Sequence, residues 1–159
     1  MSNPVLLRIR QHLADAKISF KEIEHVPTPT SEASAPARGE PLGVGAKALL
    51  LRTDDAFRLF VLPADCKLDS AAVKRELKVK RLRFATPEEL LAQTGLVPGA
   101  VPPFGSPILP FELYADQSIG VHYDRVAFNA GSLTVSFVLA AADWELLAKP
   151  TRFGFAKRD

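Results

Sequence analysis

Lys47 is the side chain in this sequence whose surroundings most invite chemistry. It stands in GVGAKALLL, residues 43–51, with small residues before it and an unbroken apolar run after it. An ammonium there is either a partly desolvated cation able to grip an anionic group or a strand-end lysine whose head reaches water along an apolar surface. A second candidate is main chain rather than side chain. In FNAG, residues 128–131, Asn129 and Gly131 suit a bulge or tight turn. Such a turn leaves N–H groups free for a carboxylate, a phosphate or a developing oxyanion, or simply connects two strands. The third is TGLVPGAVPPFGS, residues 94–106, where three glycines and three prolines fall in thirteen positions. Proline holds such a loop stiff at little entropic cost, so it is suited to presenting backbone.

Conventional nucleophiles and metal ligands are missing. His12, His25 and His122 lie far apart with no Cys, Asp or Glu at metal-binding spacing, and they read as surface or half-buried histidines. Cys66, in LPADCKLD, has no neighbouring His and no local signature of a nucleophile, and it reads as a packing cysteine. Neither a GxSxG elbow nor a phosphate-binding loop occurs. Charge is concentrated instead in VKRELKVKRLRF, residues 73–84. Six of the ten positions from Lys74 to Arg83 are basic there, namely Lys74, Arg75, Lys78, Lys80, Arg81 and Arg83. A thinner group closes the chain at Lys149, Arg152, Lys157 and Arg158. The first cluster fits contact with a polyanion or the solvated face of a helix and edge strand. Without an aromatic RNA-binding motif beside it, sequence-specific readout is not supported.

Length and composition bound the rest. With 159 residues, 47% hydrophobic and 24% charged, the chain reads as one folded domain spanning 1–159 rather than a disordered segment. A formal charge of +2 permits an anionic partner without requiring one. No apolar run reaches the length that crosses a bilayer, the start does not read as a secretory signal, and one cysteine allows no internal disulfide. The expected location is the cytoplasm.

The elements that must position these groups follow from capping and periodicity. Asn3 and Pro4 open a helix over 4–16, with Val5, Leu6, Ile9, Leu13 and Ala16 at helical spacing. Residues 19–26 alternate as a strand, and 27–43 read as a long Pro/Ser/Thr/Ala loop. The runs 46–52 and 56–63 form a hairpin turned at Thr53-Asp54-Asp55. Asp69 or Ser70 caps a helix over 71–78, and 81–85 is a short strand. Thr86 to Glu89 form a capping box for a helix ending near Gly95. Further strands are expected in LPFELYAD, DRVAFNAG and LTVSFVLA, with a last helix over 141–149. The fold class is α+β, a mixed, curled, barrel-like sheet with helices packed outside.

Thr30-Ser31-Glu32-Ala33 after a strand, Lys47 opening ALLL, TGLVPGAVPPFG, and FNAG before a strand and a final ADWELL helix occur in that order. The arrangement resembles the YbaK/prolyl-tRNA synthetase-associated editing domains, a family of free-standing and inserted aminoacyl-tRNA deacylases, over about residues 5–150. The resemblance implies that Lys47 is the functional lysine, Gly99 and Gly131 are pocket glycines, and Thr30 lines the amino-acid side. It also implies substrate contact by Ala48, Phe104, Gly105 and Asn129, and tRNA contact by Lys74, Arg75, Lys78 and Lys80. Family members acting on alanine attached to proline tRNA tend to carry Asn after the lysine and His at the Asn129 position, where this chain has Ala48 and Asn129; its NAG turn followed by a strand is closer to the YbaK-like branch, some members of which remove Cys from proline tRNA.

The implied activity is trans-editing: hydrolysis of the ester of a mischarged tRNA, such as Cys or Ala on proline tRNA. The implied partners are the tRNA acceptor end and prolyl-tRNA synthetase, with no cofactor, metal or membrane. A synthetase separates amino acids differing by one methylene by only about 1–3 kcal/mol, so a second site must clear the wrong product. The ester is already activated, which makes positioning and charge stabilisation sufficient. Water attacks the carbonyl, aided by the terminal ribose hydroxyl; for a Cys ester the substrate's own thiol attacks instead. Lys47 would hold the phosphate or ribose of the terminal adenosine, with N–H groups near Gly99 and Gly131 facing the carbonyl. The alternatives are a non-catalytic module that binds tRNA or a synthetase, and a hydrolase or nucleotide-binding enzyme acting on a small molecule.

Overall fold

The computed structural model describes residues 3–158; positions 1, 2 and 159 of the expected 1–159 domain lie outside the described residues. The first half runs α1 (Pro4–Asp15), β1 (Lys21–Glu24), α2 (Ser31–Arg38), a 3-10 turn (Leu42–Val44), β2 (Ala46–Thr53), β3 (Ala56–Pro63), β4 (Lys67–Leu68) and α3 (Ser70–Leu77). The second half runs β5 (Leu82–Phe84), α4 (Pro87–Thr94), β6 (Leu113–Asp116), β7 (Arg125–Asn129), β8 (Val135–Ala140), α5 (Ala141–Ala148), β9 (Thr151–Phe153) and β10 (Ala156–Lys157).

The β2–β3 hairpin organises everything else. Its apolar runs do not alternate because both faces are covered. Leu50, Leu59 and Val61 enter one core with Val5, Ile9 and Leu13 of α1, Phe128, Phe137 and Trp144. Leu51, Phe60 and Leu62 enter a second core with Cys66, Val73 and Phe155. The hairpin is the centre of a five-stranded mixed sheet, order β5-β2-β3-β6-β9, in which β6 runs parallel to both β3 and β9. A three-stranded antiparallel sheet, β1-β8-β7, packs on the first core, and β4 and β10 form a two-stranded ribbon. The two larger sheets touch through one parallel bridge, Gly45 to Ala127. The fold is α+β with a curled mixed sheet, divided at this bridge rather than closed into a barrel.

Helix ends follow local chemistry. The Asn3 side chain accepts from Leu6 N–H at 3.1 Å and also donates to Gly131 O at 2.6 Å, tying α1 to the turn after β7. Asp69 caps α3, and Thr86 and Glu89 complete the capping box of α4.

The 27–43 segment departs from the expected loop. Thr30 caps Ser31–Arg38, and Gly39 closes the helix in the left-handed region at φ 72°. Pro36 sits inside, where it removes one backbone donor. Burial of Ser34 and Ala35 holds the short helix against that cost. The strand expected from LPFELYAD begins only at Leu113, after successive turns. The C-terminal stretch forms β9 and β10, which sequence reading did not identify; buried Asp116 accepts Phe155 N–H at 2.7 Å and Ala156 N–H at 2.8 Å.

Candidate active site

Strand β2 is paired along its whole length with β3 on one side. On the other side β5 covers only Leu51 to Thr53, with Ala85 N–H still reaching Leu50 O at 3.0 Å. The edge from Ala46 to Leu49 therefore has no neighbouring strand between the end of β5 and the Gly45–Ala127 bridge. Because main-chain groups alternate sides along a strand, Ala48 turns its N–H and C=O the same way as Leu50, toward this gap. The gap is a cleft of about 240 Å³, with Thr30, Arg38, Lys47, Ala48, Gly99 and Asn129 in its lining.

Lys47 leaves β2 on the face shared with Leu49 and Leu51. Its Nζ donates to Cys66 O at 3.0 Å, which fixes the ammonium at the cleft wall and leaves further N–H bonds to give. Cys66 is buried, and that burial, with an S–H bond to Asp65, pushes its thiol pKa up. It is a packing cysteine that lends Lys47 its carbonyl.

Gly99 stands at the opposite wall. With φ at 91°, a Cβ here would lie 2.5 Å from Pro29 O, so only glycine lets the Pro-rich loop close on the segment before α2. Gly99 O is held by Asn129 Nδ2 at 2.9 Å. The same Nδ2 donates to Thr28 O at 3.1 Å, while Asn129 Oδ1 accepts from Ser136 Oγ at 2.9 Å and from Arg38 Nη2 at 3.1 Å. Asn129 has thus committed both amide hydrogens and both carbonyl lone pairs. It clamps three elements and has no lone pair left to act as a base.

Behind it lies a chain of polar groups that the sequence did not signal. Arg38 Nε donates to Ser136 Oγ at 2.8 Å, and His25 Nε2 sits 2.8 Å from the same oxygen while Nδ1–H donates to Val26 O at 2.8 Å. Ser34 Oγ donates to Thr28 Oγ1 at 2.8 Å. Desolvation lowers the Arg38 pKa to about 10 against the opposing field of Glu40, so the guanidinium stays charged near neutral pH.

Of the residues that the resemblance assigns to catalysis or to substrate contact, Thr30, Lys47, Ala48, Gly99 and Asn129 meet in this cleft. Three do not. Gly131 turns toward α1, where a Cβ would lie 2.9 Å from Val5 Cγ1, and its carbonyl is taken by Asn3. Phe104 is 2% exposed and packs edge-on against Phe128 with ring centroids 5.6 Å apart. Gly105 presses on Phe111 O, 2.6 Å from where a Cβ would sit, and faces a separate hollow beside His12. These positions serve packing.

Lys74, Arg75, Lys78 and Lys80 are exposed on α3 and the turn after it. The segment is pinned to the hairpin tip, where Asp54 Oδ1 accepts Lys80 N–H at 3.0 Å and Arg81 N–H at 2.8 Å. That tip is about 20 Å from Lys47 along β2 at the usual rise per residue. Arg83 is instead committed to Glu89 at 2.7 Å. Among the described residues no His, Cys, Asp or Glu cluster could hold a metal ion, and no helix is long and apolar enough to cross a membrane.

The family model described as "Aminoacyl-tRNA editing domain" matches residues 25–147. The chain is 33% identical over 150 residues to the multifunctional Ser/Thr-tRNA deacylase ProXp-y of Escherichia coli K12, covering 91% of this chain and 89% of that protein. It is 35% identical over 92 residues to the proline–tRNA ligase of Shouchella clausii, covering 58% of this chain and 16% of the ligase. A crystal structure of a candidate trans-editing enzyme for prolyl tRNA synthetase superposes with a TM-score of 0.83 at 25% identity, over 99% of each chain. The match over most of its length and the likeness to a full-length relative show that the chain belongs to the aminoacyl-tRNA editing domain family.

Proposed function

We propose that this chain, as one editing domain, hydrolyses the ester of a mischarged aminoacyl-tRNA in trans, clearing a small amino acid from the tRNA acceptor end. The observation that carries the reading is the meeting of Lys47, the open Ala48 edge, Gly99 and the clamped Asn129 around one small cleft. Lys47 holds the phosphate or ribose of the terminal adenosine, its orientation fixed by Cys66 O. The Gly99 loop bounds the amino-acid end, and its position is set through Asn129. Thr30 lines the same end; its Oγ1 accepts Ala33 N–H at 3.2 Å and keeps its own hydrogen to donate. Water adds to the carbonyl and the ribose oxygen departs, which asks the protein for positioning and charge stabilisation only.

The family motifs favour Cys or Ala on proline tRNA, with prolyl-tRNA synthetase as the partner that generates the substrate. The relative named for Ser and Thr widens the field to hydroxylated side chains. A panel of Ala-, Cys-, Ser- and Thr-charged tRNAs tests the class and the specificity together. The expected result is loss of at least one aminoacyl group at substoichiometric enzyme. Lys47→Ala should slow that reaction by about 100-fold or more, on the scale of a lost electrostatic contact to the reacting group, with the melting temperature little changed. Binding of charged tRNA without hydrolysis of any member would replace this reading with a non-catalytic module, and a Lys47→Ala variant at full activity would remove the lysine from the mechanism.

A further inference from the structure

Sequence reading expected two glycines to aim N–H groups at the scissile carbonyl, and Gly131 is turned away from the cleft. A different donor stands there. Arg38, the last residue of α2, lines the cleft with its guanidinium held from behind: Nε by Ser136 Oγ and Nη2 by Asn129 Oδ1. Both acceptors are buried, at 0% and 5% exposure. Glu40, whose field acts on Arg38, is itself bonded by Arg125 at 2.6 and 3.1 Å and does not hydrogen-bond Arg38. Nη1 has no hydrogen-bond partner among the described residues, and none of their buried side-chain nitrogens lacks one, so Nη1 is reached by solvent. It lies beside Gly45, 3.6 Å from where a Cβ on that glycine would stand, at the bridge end of the open β2 edge.

We propose that Arg38 is a further catalytic residue, donating through Nη1 to the ester carbonyl oxygen and stabilising the oxyanion formed as water adds. The proposal rests on the deacylase reading. As the water oxygen bonds to the carbonyl carbon, the carbonyl π pair moves onto the oxygen facing Arg38. Collapse re-forms the carbonyl and breaks the bond to the ribose oxygen. One water proton ends on that oxygen and the other is released as the product carboxylate forms. A guanidinium fixed by two buried acceptors needs no reorganisation when charge appears, which is the condition under which such donors contribute most. With Nε and Nη2 already bonded, the fork that would grip a phosphate bidentately is taken, and Nη1 suits a single carbonyl oxygen. The fixed cation also turns the substrate's ammonium away from itself, toward Glu32, the acid in the cleft lining.

The test uses the full chain, with Arg38→Gln and Arg38→Lys, in two arms. In single-turnover deacylation, Arg38→Gln should slow the chemical step by about 100-fold or more with KM within about threefold, and Arg38→Lys should recover part of the rate. In the binding arm, the unaltered protein should prefer a tetrahedral phosphonate analogue of aminoacyl-adenosine to the planar amide analogue. Arg38→Gln should lose that preference and keep its affinity for the amide. Should Arg38→Gln melt early, Arg38→Lys decides by whether it retains the phosphonate preference. A raised KM with an unchanged rate, or equal weakening of both analogues, would assign Arg38 to phosphate binding or to structure and overturn the proposal. Absence of hydrolysis by the unaltered protein would remove the deacylase reading, while the phosphonate preference would still report on Arg38.

Discussion

The two ends of strand β2 hold their charges in opposite ways. At the Lys47 end, cations are tethered by buried acceptors: Lys47 by Cys66 O, and Arg38 by Ser136 and Asn129. At the Thr53 end the segment carrying Lys78, Lys80 and Arg81 is anchored by its main chain to Asp54, and the side chains stand in solvent. A tethered charge in a low-dielectric cleft acts strongly at one point, whereas exposed charges act weakly, over a distance, and are screened by salt. One strand thus separates a site suited to chemistry from a surface suited to attracting a polyanion.

The largest effect on this contrast should come from Asn129→Ala. It releases Gly99 O, Thr28 O, Arg38 and Ser136 at once. Leaving several buried groups without partners should cost about 2–4 kcal/mol, read by urea unfolding, together with a loss of deacylation beyond what the remaining folded fraction explains. A variant as stable and active as the parent would show that the clamp is incidental. An intermediate effect belongs to the other end. Replacing Lys74 and Lys78 by Ala should reduce the slope of log affinity against log salt by roughly one to two, measured with tRNA, while the single-turnover rate at saturation stays unchanged. A fall in that rate would mean that the exposed cations reach the chemistry.

The smallest effect concerns Glu89, whose carboxylate is held down to about 2 from an ordinary 4.5, first by the Arg83 hydrogen bond and then by Thr86 N–H. The folded value is depressed, so this contact stabilises the start of α4 in full above about 4.5 and loses that contribution as pH falls toward about 2. Thermal melts of Glu89→Gln should trail the parent slightly at pH 7 and converge with it over that window. Since Glu89 is on the surface side, a gap that persisted in acid would point to packing rather than charge.

Much of this architecture was legible because its signals are local. The β2–β3 hairpin shows as two apolar runs around Thr53-Asp54-Asp55, and α1 and α4 announce themselves through Asn3-Pro4 and Thr86 to Glu89. Helix α2 was hidden by Pro36, since a proline at that position argues against a helix unless tertiary burial supports it. Missing α2 meant missing Arg38. The cleft residues Thr30, Lys47, Ala48, Gly99 and Asn129 were legible through their order and family pattern. Gly131, Phe104 and Gly105 share that pattern for reasons of packing, against Val5, Phe128 and Phe111 respectively.

The amino-acid sequence determined the strands, the helix caps, the stiff Gly/Pro loop and the separation of a dense basic run from an apolar lysine motif, because each depends on neighbours a few positions away. Only the tertiary structure decided which groups face the cleft. Arg38 meets Ser136 across 98 positions and Asn129 across 91, and His25 meets Ser136 across 111. Contacts of that range depend on how two sheets diverge from the Gly45–Ala127 bridge, a geometry set by the packing of the whole core rather than by any local stretch of residues.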